Sequence, residues 1–426
     1  MPKFKKEAMK LSHLSHTLIG SEIVKLGGEI RERIRQGETI YNFTVGDFDP
    51  KIFPIPQALE EAIIEAYRQH FTNYPAGEGN LDLREALSQF SAEWQGLEYD
   101  VAEILVASGG RPLIYALYRA ICDKGDKVIY AVPSWNNNHY THFVEGEHVV
   151  VEATAENAFM PTADSLRPHI KDAALIALCS PQNPTGTTFT KEGLQAICDM
   201  VVEENARRGE GEKKLYVMYD QMYWHLTYGD IKHYDPVSLN PEMRPYTIYI
   251  DAISKVFAAT GVRVGWSMGP AQVLNKMKAI LSHVGAWAPM AEQKGLTKFL
   301  AQKQEIRSYL EHFKGEVEYR LRSIYNGLIQ LKEEGYAVDA VAPEAAIYLT
   351  IKFDLVGKRS ANGEVLQTQA EVTGYLLQEA GLAIVPFYAF GAPANSPWYR
   401  LSVGTCKKEE IEVMLGKLRQ ALQGLH

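Results

Sequence analysis

The chain has 426 residues, 46% of them hydrophobic and 23% charged, with 44 Lys and Arg against 52 Asp and Glu for a formal net charge of −8. That length exceeds what one ordinary core holds, so two domains are expected, and the apolar content excludes a disordered or collagen-like chain. No cationic excess is available for a nucleic-acid backbone, although individual pockets can still be cationic.

The N-terminal stretch MPKFKKEAMKLSHL is basic but lacks the apolar segment of a secretory signal. No apolar run reaches membrane-spanning length, so a cytoplasmic protein is expected. Ile23, Val24, Ile30 and Ile34 mark a first helix. Short apolar runs bounded by turn residues then recur at 104–108, 128–132, 149–151, 174–179, 215–219 and 247–251, with helical patterns at 113–122 and 191–204. Apolar strands alternating with helices predict an α/β fold whose sheet is covered on both faces.

From about residue 291 the pattern changes. Ile306, Leu310, Phe313, Val317, Leu321, Ile324, Leu328 and Leu331 fall three or four apart, which predicts a long amphipathic helix joining two domains. Gly315 within it marks either a bend or a tolerated defect. A last amphipathic helix carries Ile411, Met414, Leu415, Leu418 and Leu422. A large domain is expected over 51–290, with a smaller α+β domain built from 1–50 and 291–426. The four cysteines, Cys122, Cys179, Cys198 and Cys406, form no CxxC pair or zinc-type cluster and read as free thiols in a reducing cytosol.

Five stretches carry chemistry. In ILVASGGRPLIYALYRA (104–120) a strand runs into Gly109 and Gly110, and a helix begins with Pro112 in its first turn. Such a turn lets backbone amides approach a phosphate; the alternative is an ordinary tight turn. It is neither a Walker A loop nor a GxGxxG fingerprint. In SPQNPTG (180–186) two prolines and a glycine fix Asn183, which either caps its own turn or serves a ligand. In LYVMYDQMYWHLTYG (215–229) Asp220 ends an apolar strand and Tyr223 follows; the carboxylate faces the ligand crevice of an open sheet or caps a helix. In TIYIDAISKVFAATGVRVGWSMG (247–269) Lys255 lies among apolar and small residues, with Arg263 eight residues on. A desolvated lysine has a depressed pKa and suits Schiff-base formation. In NSPWYRLSVGT (395–405) Arg400 interrupts an apolar strand, and its guanidinium fork suits a carboxylate. For either arginine alone, a structural ion pair is the competing explanation.

Together, and in this order, these stretches resemble the class I/II aminotransferases, pyridoxal-phosphate enzymes of the aspartate aminotransferase fold. SPQNPTG, the Ser-Lys pair followed by Arg263, and YRLSVG are the most specific parts, and the resemblance runs through almost the whole chain. It implies the type I fold of pyridoxal-phosphate enzymes, with a mostly parallel seven-stranded sheet in the large domain. It also implies that Lys255 carries the cofactor pyridoxal 5′-phosphate and shuttles the substrate proton, and that Asp220 pairs with the pyridine nitrogen. Asn183 and Tyr223 would bond the ring's phenolic oxygen, and Trp135 would stack on the ring. Gly109, Gly110, Arg111, Ser254 and Arg263 surround the phosphate. Arg400 would clamp the substrate α-carboxylate beside Gly46, with Trp135 and Asn183 also facing the substrate. Tyr74 matches a tyrosine that reaches the neighbouring subunit's phosphate, which implies a homodimer.

Two departures stand out. Ala252 replaces the serine that many relatives place three residues before the lysine, so one phosphate hydrogen bond is expected to be missing. The pocket-lining aromatic of the small domain is blurred in PEAAIYLTIKF. Arg111 stands where a lysine pairs with the side-chain carboxylate of aspartate in one branch, so a dicarboxylic substrate is expected; pairing with a protein carboxylate or the phosphate is the alternative. Aromatic or broad-range transamination and a β-lyase keep the same motifs. A regulatory relative would need a DNA-binding segment longer than this N-terminus. A metal hydrolase would need a third ligand beside His13/His16 or His139/His142, and none is apparent.

Overall fold

The computed structural model describes residues 10–18, 20 and 22–426; the basic stretch at 1–9 and the Val24 side chain lie outside the described residues. The strands are β1 (Tyr41–Asn42), β2 (Ile104–Ala107), β3 (Lys127–Val132), β4 (Glu147–Glu152), β5 (Ala173–Cys179), β6 (Tyr216–Asp220) and β7 (Thr247–Ala252). They continue with β8 (Gly265–Met268), β9 (Val338–Ala340), β10 (Tyr348–Phe353), β11 (Leu382–Ala383), β12 (Val385–Pro386) and β13 (Trp398–Ser402).

Seven strands form the main sheet in the order β2-β8-β7-β6-β5-β3-β4, in which β8 alone runs against its neighbours. The fold is the expected α/β one with a mostly parallel seven-stranded sheet. Alternate residues of each strand go to opposite faces, and both faces are apolar. Leu105, Val128, Leu175, Ala177, Met218 and Ile250 join one core with the helices Gly110–Ile121 and Ala271–Val284. Val106, Ile129, Ile176, Val217 and Tyr219 join the other, with the helices Leu81–Gln95, Lys191–Arg207 and Met290–Leu300. This two-sided burial is why the strands read as continuous apolar runs.

A second, antiparallel sheet has the order β12-β13-β10-β9, and β1 pairs in parallel with β11. The N-terminal segment is thereby stitched to the C-terminal third through Tyr41↔Leu382. The helix Lys303–Glu333 is unbroken over 31 residues. Its Ile306 and Leu310 pack under the main sheet, whereas Phe313 to Leu331 pack with β10, β13 and the last helix, Lys408–Gln423. Gly315 is exposed with open space around it, so it is a tolerated defect in a continuous helix. The helix Glu22–Arg35 is present; Ile30 is fully buried, but Ile34 is exposed. Among the described residues no helix is long and apolar enough to cross a membrane. All four cysteines are free thiols.

Candidate active site

Parallel strands deliver their C-terminal ends to one edge of the sheet, the usual ligand crevice of open α/β folds. Here β2 leads into Gly109, β5 into Asn183, β6 ends at Asp220, and β7 leads into Lys255. The antiparallel β8 starts at that same edge, because Gly265 pairs with both Ala107 and Ala252. Its reversal therefore brings Arg263, two residues earlier, to the crevice. Opposite stands the second sheet, which contributes Tyr348 from β10 and Arg400 from β13. Between them lies a cavity of about 510 Å³.

Its walls include Gly46, Gly110, Arg111, Trp135, Asn183, Asp220, Tyr223, Ser254, Lys255, Arg263 and Arg400. Of the residues singled out in the sequence, only Gly109 and Tyr74 do not line it. Gly109 sits directly behind, with φ 94°, a left-handed conformation suited to glycine. A Cβ there would collide with the Arg263 guanidinium, so the glycine is what lets the arginine reach the helix N-terminus at Gly110. Tyr74 is 82% exposed, edge-on to Trp287, and outside its own chain's cavity.

Four cations (Arg111, Lys255, Arg263, Arg400) face two acids (Asp47, Asp220) across the cavity. Among the described residues none of the six forms an ion pair. Lys255 Nζ donates to the Gly46 carbonyl at 2.6 Å. Burial lowers its pKa from 10.5 to about 8; Asp47 opposes this, and Arg400, Arg111 and Arg263 add to it. Asp220 accepts the Met222 N–H at 3.1 Å. Burial raises its carboxyl to about 6, a pull that the Met222 bond only moderates. Arg263 donates to the Thr260 and Ser108 carbonyls at 2.7 and 2.8 Å. Its pKa is lowered by burial and then by Arg111. Arg111 itself lies 4.6 Å over the Trp135 ring.

Arg400 is 2% exposed. It donates to the Thr44 carbonyl at 2.6 Å and to Asn183 Oδ1 at 3.1 Å, and its Nε has no partner. A buried guanidinium held only by neutral acceptors is unfavourable unless an anion completes it. Asn183 thus neither caps its turn alone nor stands free; its oxygen braces the arginine. Ser254 does line the cavity, whereas Ala252 is fully buried in β7 and offers no hydroxyl.

Three further wall residues were not marked as site residues in the sequence but matter to the geometry. Asp47 accepts from Thr260 Oγ1 at 2.6 Å and from the Phe48 N–H at 2.8 Å. Tyr348 meets Tyr223, hydroxyl to hydroxyl, at 2.6 Å. Ile23 reaches the cavity from the N-terminal helix. Asp47 directly follows the noted Gly46, which was the one available signal; Tyr348 in PEAAIYLTIKF reads as any core strand aromatic.

The family model for aminotransferase class I and II matches residues 38–418. The chain belongs to the class I and II aminotransferases. An aspartate aminotransferase from Geobacillus stearothermophilus is 29% identical over 400 residues, 93% of this chain and 95% of that one. The crystal structure of the aspartate aminotransferase from Rhizobium meliloti superposes with a TM-score of 0.89 at 25% identity, covering 98% of this chain and 100% of the other. The aspartate aminotransferase from Thermus thermophilus with maleate gives a TM-score of 0.86 at 27% identity, covering 97% and 100%. The charged residues singled out from the sequence lie at the C-terminal edge of the main sheet and, for Arg400, on the second sheet facing it. No cluster of three metal-ligating side chains occurs among the described residues.

Proposed function

We propose that the protein is a pyridoxal 5′-phosphate-dependent aminotransferase exchanging amino groups between an L-amino acid and a 2-oxo acid by a ping-pong cycle, with aspartate-like dicarboxylic substrates favoured. The observation that carries this reading is one cavity lined by six charged side chains without ionic partners among the described residues. All but Asp47 lack a group that this cofactor and substrate would bring.

The residues present fit the cofactor. Asp220, raised by burial and without a cation, suits a protonated ring nitrogen. Arg263, Ser254 and the amides of Gly109, Gly110 and Arg111 suit a phosphate at a helix N-terminus. Trp135 offers a ring face; Asn183 and Tyr223 offer polar groups beside it. When bound, pyridoxal phosphate supplies an electron sink for bonds broken at the substrate Cα. Lys255, lowered by burial to about 8, would anchor the cofactor and, once displaced, would move the proton at Cα. Arg400 and the Gly46 backbone orient the α-carboxylate.

The charge arithmetic of the cavity supports an anionic substrate in a protein of net charge −8. With Lys255, Arg263 and Asp220 given to the cofactor, Arg111 and Arg400 face Asp47 for the substrate, and these local groups decide. The aspartate-named relatives and the maleate-containing Thermus structure point the same way. We assign Arg111 to the distal carboxylate. Arg111 is exposed at the cavity, so Arg111→Ala should lower kcat/KM for aspartate about 5-fold or more, the upper scale of a solvent-accessible charge pair, with little change for phenylalanine. Equal losses in steady-state assays with both donors would sink the distal-carboxylate assignment. An aromatic or broad-range specificity is the second reading. It is favoured by Arg111 covering Trp135 while Ile23, Ile114 and Met218 add apolar wall.

Two domains, 51–290 and 1–50 with 291–426, are proposed to close on the substrate, the separate cores supporting the division. A cytoplasmic homodimer is also proposed. Its support is Tyr74, which is 82% exposed and outside its own chain's cavity, free to serve a second copy's.

A further inference from the structure

We propose that Tyr348 is a positioning residue: it donates its hydroxyl hydrogen to Tyr223 and so leaves the Tyr223 hydrogen free to point into the cavity. This rests on the cofactor reading above, in which Tyr223 donates to the phenolic oxygen of the bound ring.

The two hydroxyl oxygens are 2.6 Å apart and the rings meet edge to face at 5.5 Å. Tyr223 is 3% exposed and Tyr348 1%. Each hydroxyl carries one hydrogen, so the direction of this bond decides which phenol keeps a hydrogen for something else.

Two observations fix the direction. First, the Tyr348 hydroxyl has no polar partner but Tyr223 among the described residues. It packs over Gly46, where a Cβ would come within 2.8 Å of it. If Tyr223 donated, the Tyr348 hydrogen would be left buried without an acceptor, an arrangement that folded proteins avoid. Both tyrosines line the cavity, but the Tyr348 hydroxyl is the one closed over by Gly46, which leaves the Tyr223 hydroxyl as the one with room for a ligand.

Second, the Arg400 guanidinium lies 4.7 Å over the Tyr348 ring, while Lys255 Nζ is 5.9 Å from the Tyr223 ring, at the edge of effective range. The nearer cation makes Tyr348 the more acidic phenol and hence the better donor. Burial raises Tyr348, and Cys179 and Asp47 add to that, but Arg400 and the Tyr223 bond draw it back. Tyr223 is held well above the usual range by burial and then by Tyr348, while Arg400 draws it down as well. A hydroxyl that accepts one hydrogen bond becomes a stronger donor in the next. Tyr348 therefore strengthens whatever bond Tyr223 makes in the cavity.

The test is a double-mutant cycle on the holoenzyme, read as the apparent pKa of its visible absorption band. Donation from Tyr223 to the ring oxygen favours the oxygen's anion and lowers the chromophore's proton affinity. Tyr223→Phe should raise the apparent pKa. Tyr348→Phe should raise it by about half a unit, the cooperative share of one bond. The double variant should match Tyr223→Phe alone. An unshifted band in Tyr348→Phe, or full additivity in the double variant, overturns the proposal. So does a change confined to the melting temperature, which would mark Tyr348 as structural only. A wild-type protein with no visible band refutes instead the cofactor reading beneath it.

Discussion

Lys255→Ala should reduce transamination by about 10⁴-fold or more, because it removes both the anchor for the cofactor and a general base whose share alone is about 10²–10⁴. The measurement is kcat with an amino donor and a 2-oxo acid, alongside the visible spectrum. Loss of fold does not account for such an effect. In the protein without cofactor, burial holds Lys255 at about 8 against an ordinary 10.5. A base whose pKa is depressed by folding binds fewer protons folded than unfolded between those values, so stability rises with pH across that window. Below pH 8 the buried charge is a burden on the fold. Lys255→Ala should thus melt no lower than the wild type near neutral pH, and small primary amines should restore part of the activity. A variant that keeps its turnover, or that simply unfolds, contradicts the assigned role.

Arg400→Ala should cost about 30- to 5000-fold in kcat/KM, carried mostly by KM, as expected for truncating one partner of a desolvated charge pair worth about 2–5 kcal/mol. The argument is local. Arg400 is buried, accepts no protein carboxylate as partner, and leaves Nε unsatisfied. Burial pulls its pKa down, with Tyr348 and Tyr223 opposing. A structural arginine would be paired, and its removal would lower the melting temperature; one kept for a ligand shows its loss in KM. Arg400→Lys should recover only part of the affinity, because an ammonium cannot reproduce the two-pronged geometry. Unchanged KM for every amino acid tried would contradict the assignment.

Much of this site is legible in the sequence for one physical reason: charged residues inside apolar runs need an explanation. Lys255, Arg263, Asp220 and Arg400 are conspicuous because their neighbours are bound for a core. The strands are legible for the same reason, since a sheet covered on both faces gives runs such as Ala173–Cys179. What is not legible depends on pairing. The position of β8 between β2 and β7, which carries Arg263 to the crevice, is a property of strand order alone. Tyr348 and Arg400 are diagonal neighbours only because Thr350 pairs with Arg400 and Tyr348 with Ser402. A one-residue slip would have turned Tyr348 outward, and nothing in PEAAIYLTIKF excludes that slip. Asp47 reads as one more loop acid until Thr260, 213 residues away in sequence, is seen to hold it.

The most direct test of the central claim is the visible absorption of the purified protein while amino acids are added one at a time. The cavity described predicts a band tied to Lys255 that aspartate bleaches and a 2-oxo acid restores. A protein with no such band and Lys255 unmodified, or a band that no amino acid changes, would contradict it.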